Sequence, residues 1–273
     1  MRARAADSGV DRSENGNGAR ASGAQAIGRA FAVLHLFRDR GTELGVMQIA
    51  RELDLNLSTT HRIVRALVAE GYLAQNADNE RYYLGTSTLL LGRAAYRDFN
   101  LDVVHPVLER LAQDTGESVN LGVLDGTSAV VVERIESTQA LRFTQPPGTR
   151  IMLHASSMGK ALLAFDDDLL RRLREEQPTL ERFTPKTFAD AASLRAELTR
   201  IRKRGWSTDD EEQVPGVRCV GAPICDAGGR ARAAIAVQAP SVRMPKKRFA
   251  ELGPEVVAAA ERIAHLLPPG HSF

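Results

Sequence analysis

The chain is short of cysteine, of net charge and of long apolar runs, and each shortage removes a class of protein. Its two cysteines, Cys219 and Cys225, are six residues apart in 273 residues, too few for a disulfide framework or a four-ligand zinc site. A reducing compartment suits them, and no metal or cofactor is expected. The net charge is +2, which marks neither a basic nucleic-acid-binding domain nor an acidic tail. Charge is balanced region by region as well: residues 1–24 carry four basic and three acidic residues, 25–99 nine and eight, and 100–273 23 and 23. Any nucleic-acid contact must then come from where individual cations are placed and not from a basic domain. No apolar run reaches the roughly 18–20 residues of a membrane span, and the N-terminus lacks a signal-peptide core, so a cytoplasmic protein without a membrane partner is expected.

What is present is 43% hydrophobic residues over a length that favours two domains. The most informative stretch is 46–84. Val46, Ile49, Ala50 and Leu53 fall at i, i+3, i+4 and i+7, one apolar stripe of a short helix. A joint at Asp54–Leu57 follows, then Ser58 as a cap, a second helix over Thr59–Glu70, and Gly71 to end it. Turning that helix by about 100° per residue puts Thr60, Ile63, Val64 and Leu67 on one side. Ser58, Thr59, Arg62, Arg65, Ala66 and Ala69 take the other. Such a face suits a major groove: arginine forks to guanine, hydroxyls reach bases or phosphates, and alanine permits close approach. Ser58, Thr59, Thr60, Arg62 and Arg65 are the candidate DNA-binding residues, Thr60 through its place near the helix start. Tyr72–Leu73, a polar turn at Asn76–Glu80 and Arg81–Leu84 make a hairpin, so the whole reads as a winged helix-turn-helix.

Residues 1–24 hold almost nothing that packs and are expected to be a disordered tail. Ile27, Ala30, Phe31, Leu34 and Phe37 trace a further helix over Ala26–Asp39, giving a DNA-binding domain over 25–86. Residues 87–99 form a linker helix whose Leu89, Leu90 and Leu91 exceed the apolar surface that one small domain needs, which points to a second copy of the chain as partner. Residues 100–273 begin with a helix around Val104–Leu111, where Pro106 either starts or kinks it. Strands are predicted at Ser118–Leu124, Ala129–Ile135, Leu141–Phe143, Gly148–Leu153, Val217–Ile224 and Ala231–Val237. Helices are predicted at Gly159–Phe165 with an extension to Leu173, at Ser193–Arg204 and at Arg248–Leu267. This order is that of an α+β sensor-like domain.

Four segments carry a resemblance over residues 25–268: STTHRIVRALVAEGYL with the wing ending YYLG, LHASSMGKALLAF, GWSTDDEEQVPGVRCVGAPI, and IAVQAP. In that order and spacing the chain resembles an IclR-family transcriptional regulator. The resemblance implies an N-terminal winged helix-turn-helix, a linker helix and a C-terminal GAF/PAS-like effector-binding domain. It also implies homodimers, often paired as tetramers, on palindromic or repeated double-stranded operator DNA. The expected function is a DNA-binding regulator, taken as a repressor, controlled by a small organic-acid or aromatic metabolite bound in the C-terminal domain. In the family's pyruvate- and glyoxylate-responsive members the ligand is held by backbone before GKA, an Asp, a Cys and two Ser. Those places fall here at Ser157 and Met158, Asp209, Cys219, and Ala236 and Gln238. The last two depart from the hydroxyl pair, which removes two donors and adds a longer amide.

Two rival chemistries share these residues. Ser157-Met158-Gly159-Lys160 matches the S-x-x-K of serine acyl-enzymes, yet S-D-N and K-T-G partners are missing from the sequence. The acidic run Asp209–Glu212, with His154 and Cys219, contains metal-ligand residue types, but consecutive acids point in different directions and Asp210 and Glu211 read as a solvated pair. A small-molecule-processing enzyme built on Ser157 and Lys160, or on a metal at Asp209, is the alternative to a regulator.

Overall fold

The computed structural model describes residues 15–267, with side chains from Gly23 onward. The chain divides into two compact units at Ala95/Tyr96. The first holds α1 (Asn15–Arg40), α2 (Val46–Glu52), α3 (Leu57–Ala69), the strands β1 (Leu73–Gln75) and β2 (Tyr82–Leu84), and most of α4 (Thr86–Asp98), which crosses the division. Its core is Val33 and Phe37 of α1, Leu44, Ile49 of α2, Ile63, Val64 and Leu67 of α3, and Leu73 and Tyr82 of the hairpin. These are the apolar stripes of the sequence, closed into a three-helix core. The cap of α3 is Asn56, whose Oδ1 accepts from the Thr59 amide at 2.8 Å, and not Ser58. Asp54, at φ +50°, turns the chain between the two helices. The hairpin gains a third backbone partner where Leu44 and Tyr82 exchange hydrogen bonds at 3.0 and 2.9 Å. Its turn is pinned by Glu43, whose carboxylate accepts from Asn76 and Asn79 at 2.9 Å each.

Of the tail expected over 1–24, residues 1–14 lie outside the described residues, and from Asn15 the backbone is already helical. The alanines at 19, 21, 24 and 26, with Arg20 and Gln25, are strong helix formers that extend α1 upstream of its apolar stripe.

The second unit contains α5 (Leu101–Thr115), β3 (Ser118–Asp125), β4 (Ser128–Ile135), β5 (Arg150–Met152), α6 (Ser157–Ala164), α7 (Asp167–Glu176), α8 (Ala191–Arg204), β6 (Ser207–Asp210), β7 (Val217–Cys225), β8 (Ala231–Pro240) and α9 (Lys247–Leu266). Six strands form one sheet in the order β5-β4-β3-β8-β7-β6, antiparallel throughout. Strand residues alternate between two cores. Val119, Leu121, Val220, Ala222, Ile235 and Val237 face α5 and α9, with Leu108, Val256 and Ile263. Ala129, Val131, Ala234 and Ala236 meet α6 and α8 on the other side, with Leu162, Leu163 and Leu198. The α+β class expected from the sequence is the class observed.

Two local expectations are corrected, and one strand was not foreseen. Leu141–Phe143 is not a strand, because its carbonyls are taken by arginines: Arg134 donates to that of Phe143, and Arg243 Nη1 to that of Leu141 at 2.6 Å. The extension from Phe165 to Leu173 is a separate helix, since Asp166 caps α7 by accepting from Asp168 and Leu169 at 3.0 Å each. The polar Ser207–Asp210 segment is a strand, β6, paired with β7 at the sheet edge.

Candidate functional site

On α3 the exposed side chains are Leu57, Ser58, His61, Arg62, Arg65, Ala66 and Ala69, with Thr59 half-buried. Among the described residues neither Arg62 nor Arg65 is committed to an ion pair, so both guanidinium groups are available to a phosphate or a base edge. Thr60 is corrected: it is 0% exposed and its hydroxyl donates to the Asn56 carbonyl at 3.0 Å, so it holds the helix start together and cannot reach DNA. Ser58 Oγ donates to Asn56 Oδ1 at 3.0 Å and keeps its lone pairs outward. His61, one turn before Arg65, was not among the sequence candidates and lies on the same accessible flank. The wing offers less: its arginine, Arg81, is tied to the Glu43 carbonyl at 2.8 Å and to Gln48 at 2.9 Å, and its exposed tip carries Asp78 and Glu80. Of the two elements, α3 is the one that carries uncommitted, exposed arginines.

In the second unit, strand register brings the expected effector residues together. Asp209 on β6 pairs with Cys219 on β7, Cys219 with Gln238 on β8, and Gln238 with Ser118 on β3, making one lateral row across four strands. The next row on the same face is Ser207, Gly221, Ala236 and Asn120. The first turn of α6 lies directly over these rows. A Cβ at Gly221 would sit 3.2 Å from Ser157, and one at Gly122 3.1 Å from Met158 Sδ. Ser207 Oγ donates to the Ser157 carbonyl at 2.6 Å. Gly159 closes the approach, since a Cβ there would lie 2.3 Å from the Leu153 Cα. Ser156 caps α6 through the Gly159 amide at 3.0 Å. Ser157, Met158, Asp209, Cys219, Ala236 and Gln238 are all buried here.

The electrostatics of this face are unusual. Lys160, 0% exposed, pairs with the buried Glu212, and its ammonium lies 4.7 Å from the centre of the Phe188 ring. Burial pushes Asp209 up to about 7, with the Glu212 carboxylate adding, although the Glu212 amide donates to it at 2.7 Å. Burial likewise raises Glu212 and lifts the Cys219 thiol well above its ordinary value. Burial lowers His154, which is held by the Glu181 carbonyl at 2.8 Å and stacked on Phe183, so it is a neutral wall residue. Asp210 and Glu211, read from sequence as solvated, instead pair with Arg218 at 2.7 and 3.2 Å.

Residues that sequence reasoning passed over complete the face. Arg134 of β4 donates from Nη1 to Asn120 Oδ1 at 2.7 Å and to Gln238 Oε1 at 3.0 Å, and from Nη2 to Ser118 Oγ at 3.2 Å. Gln145 accepts from Gln238 Nε2 at 3.0 Å. The one sequence signal was a lone arginine near the end of an apolar β-branched strand. A separate cleft of about 870 Å³ between α7 and α8, lined by Leu170, Arg174, Leu194 and Leu198 among others, includes none of these residues.

Nothing in this arrangement favours the enzyme alternative. The Lys160 ammonium is engaged by Glu212 and is not a free base beside Ser157. Among the described residues, no group of three His, Cys, Asp or Glu side chains is placed to hold a metal ion.

Comparison with known proteins gives the same picture. Residues 26–77 match the IclR helix-turn-helix domain, and residues 100–265 the bacterial transcriptional regulator IclR C-terminal domain. The chain is 39% identical over 250 residues to the HTH-type transcriptional regulator BhcR of Paracoccus denitrificans, covering 90% of this chain and 88% of that one. It is 32% identical over 249 residues to the acetate operon repressor of Salmonella typhimurium, covering 88% of each. Its fold matches the crystal structure of an IclR homologue from Microbacterium hydrocarbonoxydans complexed with 4-hydroxybenzoate, with a TM-score of 0.77 at 24% identity, covering 89% of this chain and all of that one.

Proposed function

The chain belongs to the IclR family of bacterial transcriptional regulators, and we propose that this DNA-binding regulator is a repressor whose grip on its operator is set by a small organic acid or aromatic metabolite held between α6 and the sheet. The observation that carries the reading is the lateral row Asp209-Cys219-Gln238, buried under the first turn of α6 and able to donate and accept hydrogen bonds in a water-poor setting. The 4-hydroxybenzoate in the complex of the Microbacterium hydrocarbonoxydans IclR homologue supports including an aromatic acid among the candidate effectors. Arg62 and Arg65, with Ser58 and Thr59, are the residues assigned to DNA.

The working unit is a homodimer that pairs into a tetramer, acting in the cytoplasm. Support comes from apolar side chains that no single copy covers: Leu89, Leu90 and Leu91 on α4, and Ile27 and Phe31 on α1. No helix among the described residues is long and apolar enough to cross a membrane. An effector changes operator affinity only if it binds one arrangement of the dimer more tightly than the other.

The test is fluorescence anisotropy of a duplex from the chain's own promoter region, with the full chain titrated in the presence and absence of organic acids and aromatic catabolites. Release of the duplex by one of them is the expected result. Binding of the duplex that no acid or aromatic metabolite alters would refute the effector control.

A further inference from the structure

Arg134 has no task in the reading above, and its surroundings are those of a charge waiting for a partner. Its side chain is 3% exposed. The acceptors it meets are neutral: the amide oxygens of Asn120 and Gln238, the Ser118 hydroxyl and the Phe143 carbonyl. Its Nε is buried with no hydrogen-bond partner. The closest carboxylate is Glu136, 3.9 Å from that Nε, half-exposed and shared with Arg142 at 3.2 Å. A guanidinium taken out of water without a close counter-charge is costly, and such a group is retained where an anion completes it.

We propose that Arg134 is the charge anchor of the effector pocket, pairing with a carboxylate of an anionic effector at the place where the Phe143 carbonyl now meets its Nη2. The proposal rests on the effector reading of the site and names the chemistry that selects the ligand. Position supports it: Gln238 both accepts from Arg134 and pairs with Cys219, so the guanidinium adjoins the Asp209-Cys219-Gln238 row. A guanidinium offers two parallel N–H groups to the two oxygens of one carboxylate, a geometry that an amide or ester cannot use. The Phe143–Gln145 segment, whose carbonyl and amide now satisfy Arg134 and Gln238, moves aside for that carboxylate.

The experiment uses the full chain and matched probes: pyruvate against pyruvamide, succinate against succinamide, and 4-hydroxybenzoate against 4-hydroxybenzamide, with binding read by thermal shift and calorimetry. Wild type is compared with Arg134→Gln, Arg134→Lys and Asp209→Asn. At least one acid is expected to bind wild type while its amide does not, with affinity falling about 10- to 100-fold in Arg134→Gln. Should Arg134→Gln fail to fold, Arg134→Lys decides: a point charge in place of the fork is expected to weaken the acid about tenfold. An acid bound by the Arg134 variants as by wild type, yet lost in Asp209→Asn, overturns the anchor and leaves the pocket reading standing. An amide bound as tightly as its acid also overturns the anchor. An acid indifferent to all three substitutions, or no acid bound by wild type, overturns both.

Discussion

Replacing Asp209 by Asn removes a proton-binding group from the middle of the polar row while keeping the oxygen that accepts from the Glu212 amide at 2.7 Å. Burial first, and Glu212 second, raise this carboxyl from 3.8 to about 7. The folded chain therefore binds the Asp209 proton more tightly than the unfolded chain does. Its contribution to stability is complete below the unfolded value and is lost as pH rises through about 7. A separation of roughly three units corresponds to about 4 kcal/mol in all, of which about 2 kcal/mol disappears between roughly pH 5 and 7. His154, lowered, titrates in the opposite sense and remains in the variant, whereas Glu212, raised and coupled to Asp209, titrates in the same sense and belongs to the same difference. Urea unfolding of wild type and Asp209→Asn across this pH range gives that difference directly. The wild-type advantage is expected to shrink by about 2 kcal/mol from the acidic to the neutral end. Parallel curves would mean that Asp209 is an ordinary ionised carboxylate, and that burial does not hold its proton.

Other outcomes follow from the same face. Lys160→Met strands Glu212 in the interior and is expected to cost about 3–5 kcal/mol by urea unfolding, whereas Lys160→Met with Glu212→Gln recovers much of it; equal losses in single and double variants would contradict the buried pair. Gly159→Ala drives a methyl group into the Leu153 backbone, 2.3 Å from its Cα, and is expected to lower stability by about 2 kcal/mol or more, or to prevent accumulation of folded chain. A melting temperature within a degree of wild type would show that α6 does not sit as described.

The legible parts of this molecule were those that repeat at short range. The stripes of α1, α2 and α3 are written at helical spacing, and the ranges of β3, β7 and β8 are legible as apolar strand segments bounded by turn residues, whereas which core each strand residue faces is shown by the fold. The cap of α3 was misplaced by two residues because Asn56 and Ser58 are both good caps, and only geometry decides which carbonyl closes the first turn. Thr60 falls on the apolar side by helical rotation, and its place near the helix start does not bring it to DNA because its hydroxyl is spent on the Asn56 carbonyl. β6 escaped because Ser207-Thr208-Asp209-Asp210 has no apolar alternation, its inward residues being satisfied by a hydroxyl contact and an amide rather than by packing. The candidate pocket was only half legible. Lys160 finds Glu212 52 residues away and Arg134 finds Gln238 104 residues away, and no local pattern records such pairings. The wing's arginine misleads in the other direction: Arg81 looks available in sequence and is spent on the Glu43 carbonyl in the fold.

The central claim is that exposed cations on α3 hold operator DNA. Its most direct test is the salt dependence of binding to the chain's own promoter region, measured for wild type and for Arg62→Ala with Arg65→Ala. If both side chains lie on phosphates, affinity falls and the slope of log affinity against log salt drops by about two for each head engaged, roughly one per lost contact. Unchanged affinity with an unchanged slope would contradict the assignment of α3 as the recognition helix.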